Sequence, residues 1–306
     1  MLVNLNKILP QARKSGYAVG AFNTSNLEIT QAITTAAERL NAPVIVATSE
    51  KAIRYAGIEN ISTMIIGLAE RARIPVVLHL DHGGSYEICR ECIKHGYTSV
   101  MIDASQLPFA DNIKLTRKVV RYAHAKGVTV EAEIGRLSGI EDDLNVKKAE
   151  GIYTNPNEAK RFAAQSGCDA LAVAIGTSHG AYKFKATPKL RIDILAEIAE
   201  TLRIPLVLHG ASGVKRAWIN LVNKYGGALG HAQGVPDRLI RQAVKNGISK
   251  INTDTDLRIG FTAGVRRYLV ANPTSFDPRE IIAAGRDRII EVVQDRIKTF
   301  GSENRT

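Results

Sequence analysis

Three of the seven histidines, His82, His179 and His209, stand 97 and 30 residues apart, too far for a local motif, so only folding can bring them together. Gathered at one point, three imidazole nitrogens make the ligand set of a catalytic Zn²⁺ that keeps a further position open for substrate. Two carboxylates, Asp103 and Glu133, suit a second or migrating divalent ion, or support of the histidine ligands from behind; ordinary salt bridging is the plainer alternative. Glycines and small polar residues stand beside the histidines in Gly176-Thr-Ser-His-Gly180 and His209-Gly-Ala-Ser-Gly213, and again in Asn252-Thr-Asp-Thr255. Backbone amides in such turns cradle a phosphate, and glycine lets the anion approach closely.

The elements that must hold these residues are legible from hydrophobic patterning. Eight short β-branched runs read as strands: Tyr17 to Phe22, Pro43 to Thr48, Pro75 to Leu80, Thr98 to Ile102, Val128 to Ile134, Ala170 to Ile175, Pro205 to Leu208 and Ile248 to Ile251. Helical spacing lies between them, as in Ile61, Met64, Ile65 and Leu68, or Ile192, Leu195, Ala196, Ala199 and Leu202. Asn155 before Pro156 opens a helix that Gly167 closes, and Asp111 or Asn112 opens another that ends at Gly127. Eight alternating units predict an α/β fold, a (β/α)8 TIM barrel, rather than a doubly wound sheet of about six strands. Residues 1–306 are expected to form one such domain. Extra segments fall at Gly135 to Tyr153 and Gly226 to Pro236, with an extended C-terminal helix from Pro278 to about Phe300.

A barrel builds its active site at the C-terminal ends of its strands. Every expected exit carries a polar residue: Asn23, Ser49, Asp81 with His82, Asp103, Glu133, His179, His209 and Asn252. His79 lies inside its strand and reads as a hydrogen-bonded barrel residue. The stretch ending there, Arg73-Ile-Pro-Val-Val-Leu-His79, returns as Arg203-Ile-Pro-Leu-Val-Leu-His209, through duplication or through convergence of two strands on similar composition.

Composition narrows the function. A chain of 306 residues with 45% hydrophobic and 23% charged content is an ordinary soluble balance, which excludes disorder and a disulfide-stapled miniprotein. Cys89, Cys92 and Cys168 are too few for a secreted framework, and the Cys89/Cys92 pair reads as helix packing. With no signal-peptide core at Met1 to Gly16 and no apolar run near ~20 residues, the expected location is cytoplasmic, with no membrane partner. The net charge of +11 asks for an anionic partner. Lys and Arg are scattered from Lys7 to Arg305 without an aromatic-interleaved stripe, so a phosphorylated metabolite fits better than nucleic acid.

Taken together, Leu78-His-Leu-Asp-His-Gly83, Glu131-Ala-Glu-Ile-Gly135, Gly176-Thr-Ser-His-Gly180, Leu208-His-Gly-Ala-Ser212 and Lys250-Ile-Asn-Thr-Asp-Thr255 strongly resemble the class II, metal-dependent ketose-bisphosphate aldolases over essentially the whole chain. Within them the chain is most similar to enzymes that reversibly cleave fructose 1,6-bisphosphate to dihydroxyacetone phosphate and glyceraldehyde 3-phosphate. The resemblance implies that His82, His179 and His209 hold the zinc, that Asp103 and Glu133 serve a second metal, and that Asp81 shuttles a proton. It implies dihydroxyacetone phosphate contacts at Gly180, Gly210, Ala211, Ser212, Asn252, Thr253, Asp254 and Thr255, and a glyceraldehyde 3-phosphate contact at Ser49. Glu141, in Gly139-Ile-Glu-Asp-Asp143, matches the glutamate that exchanges the proton beside the carbonyl; a solvated acidic turn is the bland alternative. Asp254 and Arg258 would meet the C4-to-C6 end of the sugar, with Arg279 reaching the phosphate from a neighbouring subunit. A homo-oligomer, dimer or tetramer, is expected as a partner arrangement, and the need for a monovalent cation is left open.

Rival readings remain at this level. Tagatose 1,6-bisphosphate differs from the fructose substrate only at C4. A metal-dependent barrel hydrolase would use the same residue types without releasing triose phosphate. A Schiff-base aldolase would need Lys250, which shares a strand face with Asn252.

Overall fold

A computed structural model describes residues 1–135, 138–141, 144–146, 153–180, 188–230 and 232–306, without the side chains of 138–141, 144–146 and 179. The strands are β1 (Val19–Asn23), β2 (Val44–Ser49), β3 (Val76–Gly83), β4 (Ser99–Ile102), β5 (Thr129–Ile134), β6 (Ser138–Glu141), β7 (Leu144–Val146), β8 (Ala170–Val173), β9 (Ser178–His179), β10 (Leu206–Leu208) and β11 (Ile248–Thr253). The helices are α1 (Leu5–Ser15), α2 (Leu27–Arg39), α3 (Glu50–Ala56), α4 (Ile58–Arg71), α5 (Tyr86–Lys94), α6 (Phe109–His124), α7 (Pro156–Ser166), α8 (Ile192–Thr201), α9 (Arg216–Lys224), α10 (Asp237–Lys245), α11 (Thr255–Ala271) and α12 (Pro278–Phe300).

Eight of these strands close in parallel into a barrel, in the order β1, β11, β10, β8, β5, β4, β3, β2. All eight predicted strands are present. Their near-continuous apolar character follows from burial on both faces, which only a sheet wrapped by helices requires. Alternation divides the strand residues into two layers. Val19, Ala21, Ile45, Val77, Ala170, Ala172 and Val207 pack inward with Leu5, Ile8, Leu9 and Ala12 of α1, which plugs the end where the strands begin. Phe22, Val44, Val46, Val76 and Leu78 join the larger cluster under the surrounding helices. The opposite mouth is left to polar residues.

The caps agree in part. Asn155 accepts from the amides of Asn157 and Glu158 at the start of α7, and Gly167 closes it with φ +74°. The helix expected to open at Asp111 or Asn112 and end at Gly127 instead runs from Phe109 to His124. Pro108 supplies the extended residue before it, and Asn112 is buried with its amide donating to the Glu133 carbonyl rather than capping. Cys89 and Cys92 are buried on α5, and burial pushes both thiols well above the ordinary thiol range, so they are packing residues. The segment after β5 holds an unforeseen small sheet: β6 pairs antiparallel with β7 and parallel with β9, setting Gly139 opposite His179.

Candidate active site

Neighbouring residues of a strand face opposite sides, so Asp81 and His82 should not share a site. A break in β3 brings them together: its register with β4 slips between Leu80 and Gly83, and His82 takes a left-handed φ of +50°. Such strain costs of order 1–3 kcal/mol and persists only where the surroundings hold it. Gly83 is part of that hold, because a Cβ there would lie 2.7 Å from the Met101 carbonyl oxygen. One ligand atom from each of Asp81, His82 and His209 then lies within 4.8 Å of the others. The His82 and His209 rings meet edge to face at 4.5 Å.

Behind this cluster runs a buried polar network. His209 Nε2 donates to Glu131 Oε1 at 2.7 Å, which turns Nδ1 toward Asp81, 3.9 Å away. Glu131 is fully enclosed, and its Oε2 lies 2.9 Å from Lys250 Nζ. Burial alone would favour the neutral acid, but Lys250 and the donor on His209 hold the Glu131 carboxyl well below the usual range. The same ammonium donates to Asn252 Oδ1 at 2.7 Å. Asn252 Nδ2 in turn donates to Asp81 Oδ1 at 2.7 Å, and Asn23 Nδ2 donates to Asp81 Oδ2 at 2.8 Å. Asp81 is thus a buried carboxylate steered by two amides. Lys250, considered above for Schiff-base chemistry, is enclosed and bound to Glu131 and Asn252. His79 hydrogen-bonds Ser99 at 2.9 Å inside the barrel, and burial together with Lys250 brings its pKa down to about 3, so it stays neutral.

The carboxylate pair is equally ordered. Asp103 Oδ2 meets His82 Nδ1 at 2.8 Å, leaving Nε2 as the nitrogen able to ligate. His82, Asp103 and Glu133 form a second group with ligand atoms within 4.8 Å. Burial disfavours a charged His82, yet Asp81, Asp103 and Glu133 raise its pKa well above the ordinary value. Glu133 is buried beside Asp103, which pushes its own pKa well up, and its Oε2 has no hydrogen-bond partner among the described residues. Imidazole and carboxylate donors around a crowd of buried acids fit a divalent cation of the zinc type, which would relieve both their repulsion and the unsatisfied oxygen.

Toward solvent the mouth opens into a pocket of about 250 Å³ lined by Asn23, Ser49, Lys51, Tyr55, Asp254 and Arg258, among others. Ser49 ends β2 and caps α3 by accepting from the Ala52 amide. Asp254 and Arg258, one helical turn apart, form a two-pronged pair at 2.9 and 2.6 Å. Thr253 ends β11 buried, and Thr255 opens α11. The Gly210-Ala211-Ser212 turn is buried beside β9: Gly210 has φ +60°, and a Cβ there would lie 2.7 Å from the Ser178 carbonyl oxygen. Gly180 follows β9 directly. Arg279 is outside this assembly, lining no part of the pocket, 90% exposed and paired with Asp277. Glu141 ends β6, next to the strand of His179, but the side chains of both lie outside the described residues, as do Asp142 and Asp143 of the acidic stretch.

Sequence reasoning gave no role to Glu131 and none beyond a strand exit to Asn23, and it missed Asp256, which accepts from the Gly213 and Val214 amides at 2.8 and 2.6 Å and so shapes the turn after Ser212. The polar pair Glu131 and Glu133 inside an apolar strand was the available signal, since a barrel interior admits such residues only with partners.

Comparison with known proteins agrees with this geometry. The family model "Fructose-bisphosphate aldolase class-II" matches residues 3–305. A fructose-bisphosphate aldolase of Thermus caldophilus is 50% identical over 305 residues, covering 100% of both chains, and one of Giardia intestinalis is 44% identical over 98% of this chain and 93% of its own. The crystal structure of the YdjI aldolase from Escherichia coli K12 superposes with a TM-score of 0.81 at 31% identity, covering 100% of this chain and 99% of that one. A barrel of the expected topology, a ligand cluster at its mouth and a full-length match lead to one conclusion: the chain belongs to the class-II fructose-bisphosphate aldolase family.

Proposed function

We propose that this protein, working as one domain over residues 1–306, carries out the metal-dependent, reversible cleavage of fructose 1,6-bisphosphate to dihydroxyacetone phosphate and glyceraldehyde 3-phosphate. The observation that carries the reading is the convergence of Asp81, His82 and His209 at a barrel mouth whose pocket ends in Asp254 and Arg258. His82 and His209 hold the ion with His179 as third ligand, and Asp103 and Glu133 offer a second divalent position. Zn²⁺, when bound, supplies the Lewis acid that draws charge toward the substrate carbonyl oxygen.

The chain's own groups supply the rest. Asp81, oriented by the amides of Asn23 and Asn252, takes the proton of the C4 hydroxyl as the C3–C4 bond breaks and its electron pair stays with C3. C4 leaves as the aldehyde of glyceraldehyde 3-phosphate, and Glu141 returns a proton to C3. Gly180, Gly210, Ala211, Ser212 and the 252–255 stretch bind the dihydroxyacetone phosphate end; Ser49 and Arg258 take the distal phosphate, joined by Arg279 of a second copy in a homo-oligomer. Among the described residues no helix is long and apolar enough to cross a membrane, and three buried free cysteines suit a reducing cytoplasm.

The presence of Asp254 favours fructose over tagatose bisphosphate as substrate. A coupled triose phosphate assay with both sugars tests the reading: cleavage is expected to vanish on chelation and return with Zn²⁺. Full activity of metal-free protein, or hydrolysis without triose phosphate, would overturn it.

A further inference from the structure

Two roles meet at one buried side chain. The Lys250 ammonium has three protons. Its close partners are the two Glu131 oxygens, at 3.1 and 2.9 Å, and Asn252 Oδ1 at 2.7 Å. The first contact fixes the plane of the carboxylate on which His209 Nε2 rests. The second fixes which way the Asn252 amide faces. With its oxygen taken by Lys250, Asn252 must present Nδ2 to Asp81; rotated by half a turn it would present an oxygen to a carboxylate and repel it. We infer that Lys250 is a positioning residue that ties the orientation of the metal ligand His209, through Glu131, to the orientation of the proton acceptor Asp81, through Asn252. Metal holding and proton transfer therefore share one anchor, enclosed where water cannot substitute for it.

The inference rests on the function proposed above and predicts a split between two partial reactions. Bond cleavage needs Asp81. Exchange with solvent of a proton on the hydroxymethyl carbon of dihydroxyacetone phosphate, the carbon that was C3 of the sugar, needs the ion and Glu141 but not Asp81. Lys250→Met alone strands a buried carboxylate and endangers folding, so the test uses Lys250→Met with Glu131→Gln, which leaves no unpaired charge and retains a side-chain oxygen for His209. With Zn²⁺ saturating, cleavage kcat is expected to fall about 10- to 100-fold while proton exchange stays within about threefold of wild type. Equal losses in both reactions, or no loss in cleavage, overturn the link to Asp81.

The other arm is read without turnover. Lys250→Met with Glu131→Ala removes the rest for His209, and Zn²⁺ affinity, measured by competition with a chromophoric chelator, is expected to weaken about 10- to 100-fold relative to the Gln variant. Equal affinities overturn the link to His209. If wild type neither cleaves fructose 1,6-bisphosphate nor exchanges the proton, the proposed function fails, while the Zn²⁺ comparison still judges this arm.

Discussion

His79 and His209 end two copies of nearly the same seven-residue stretch, and both approach one carboxylate, Glu131, at 3.8 and 2.7 Å. Their fates differ. β3 continues past His79 to Gly83, which seals that ring inside the barrel against Ser99, whereas β10 stops at Leu208 and delivers His209 to the mouth. On β3 the histidine proposed for the metal site comes three residues later, at His82, after the register slips. A nearly identical local pattern thus yields a neutral packing residue in one strand and a proposed metal ligand in the other, decided by where each strand ends relative to its neighbours.

The sharpest way to break this contrast is to remove each ring. His209→Ala is expected to abolish bound Zn²⁺ and cleavage together, by metal analysis and assay, whereas His79→Asn should keep the metal and lose about 1–3 kcal/mol of stability in denaturant unfolding. Equal metal loss in both would erase the distinction.

Asp81 sits beside His82 yet is assigned proton transfer. Asp81→Ala should lower kcat by roughly 10²- to 10⁴-fold with Zn²⁺ retained; loss of the metal instead would make Asp81 a ligand.

A smaller effect is expected at Asp254. A hydrogen bond to a charged group is worth ~1.5 to 3 kcal/mol, so Asp254→Ala should erode the preference for fructose over tagatose bisphosphate by roughly 10- to 150-fold in kcat/KM. An unchanged ratio would reduce Asp254 to a loop-shaping partner of Arg258.

The mildest test uses pH. Because the folded-state pKa of Glu131 is depressed, its contribution to stability is present above the ordinary glutamate value near ~4.3 and is lost as pH falls from there toward the folded value. Acid unfolding of metal-free protein should steepen in that range, and Glu131→Gln should flatten it. An identical pH slope in the variant would show that Lys250 and His209 do not hold the carboxylate as described.

Much of this was readable in one dimension. Strand alternation, the Asn155-Pro156 and Gly167 caps and the Pro278 to Phe300 helix depend on neighbours a few residues apart, so the barrel is legible in the sequence. Where local rules compete, the local pattern misleads: Asn112 has the residue type of a cap but is buried against the Glu133 carbonyl, a partner 21 residues away.

By itself the sequence determined the barrel class, the positions of the histidines and acids, and the family resemblance, because hydrophobic period and residue type are local properties. Only the tertiary structure decided that Asp81 and His82 point to the same place, that His79 is sealed while His209 is exposed to the site, and that Glu131 and Lys250 stand behind both. Those outcomes depend on barrel stagger and on contacts between residues 78 and 119 positions apart, which no spacing along the chain encodes.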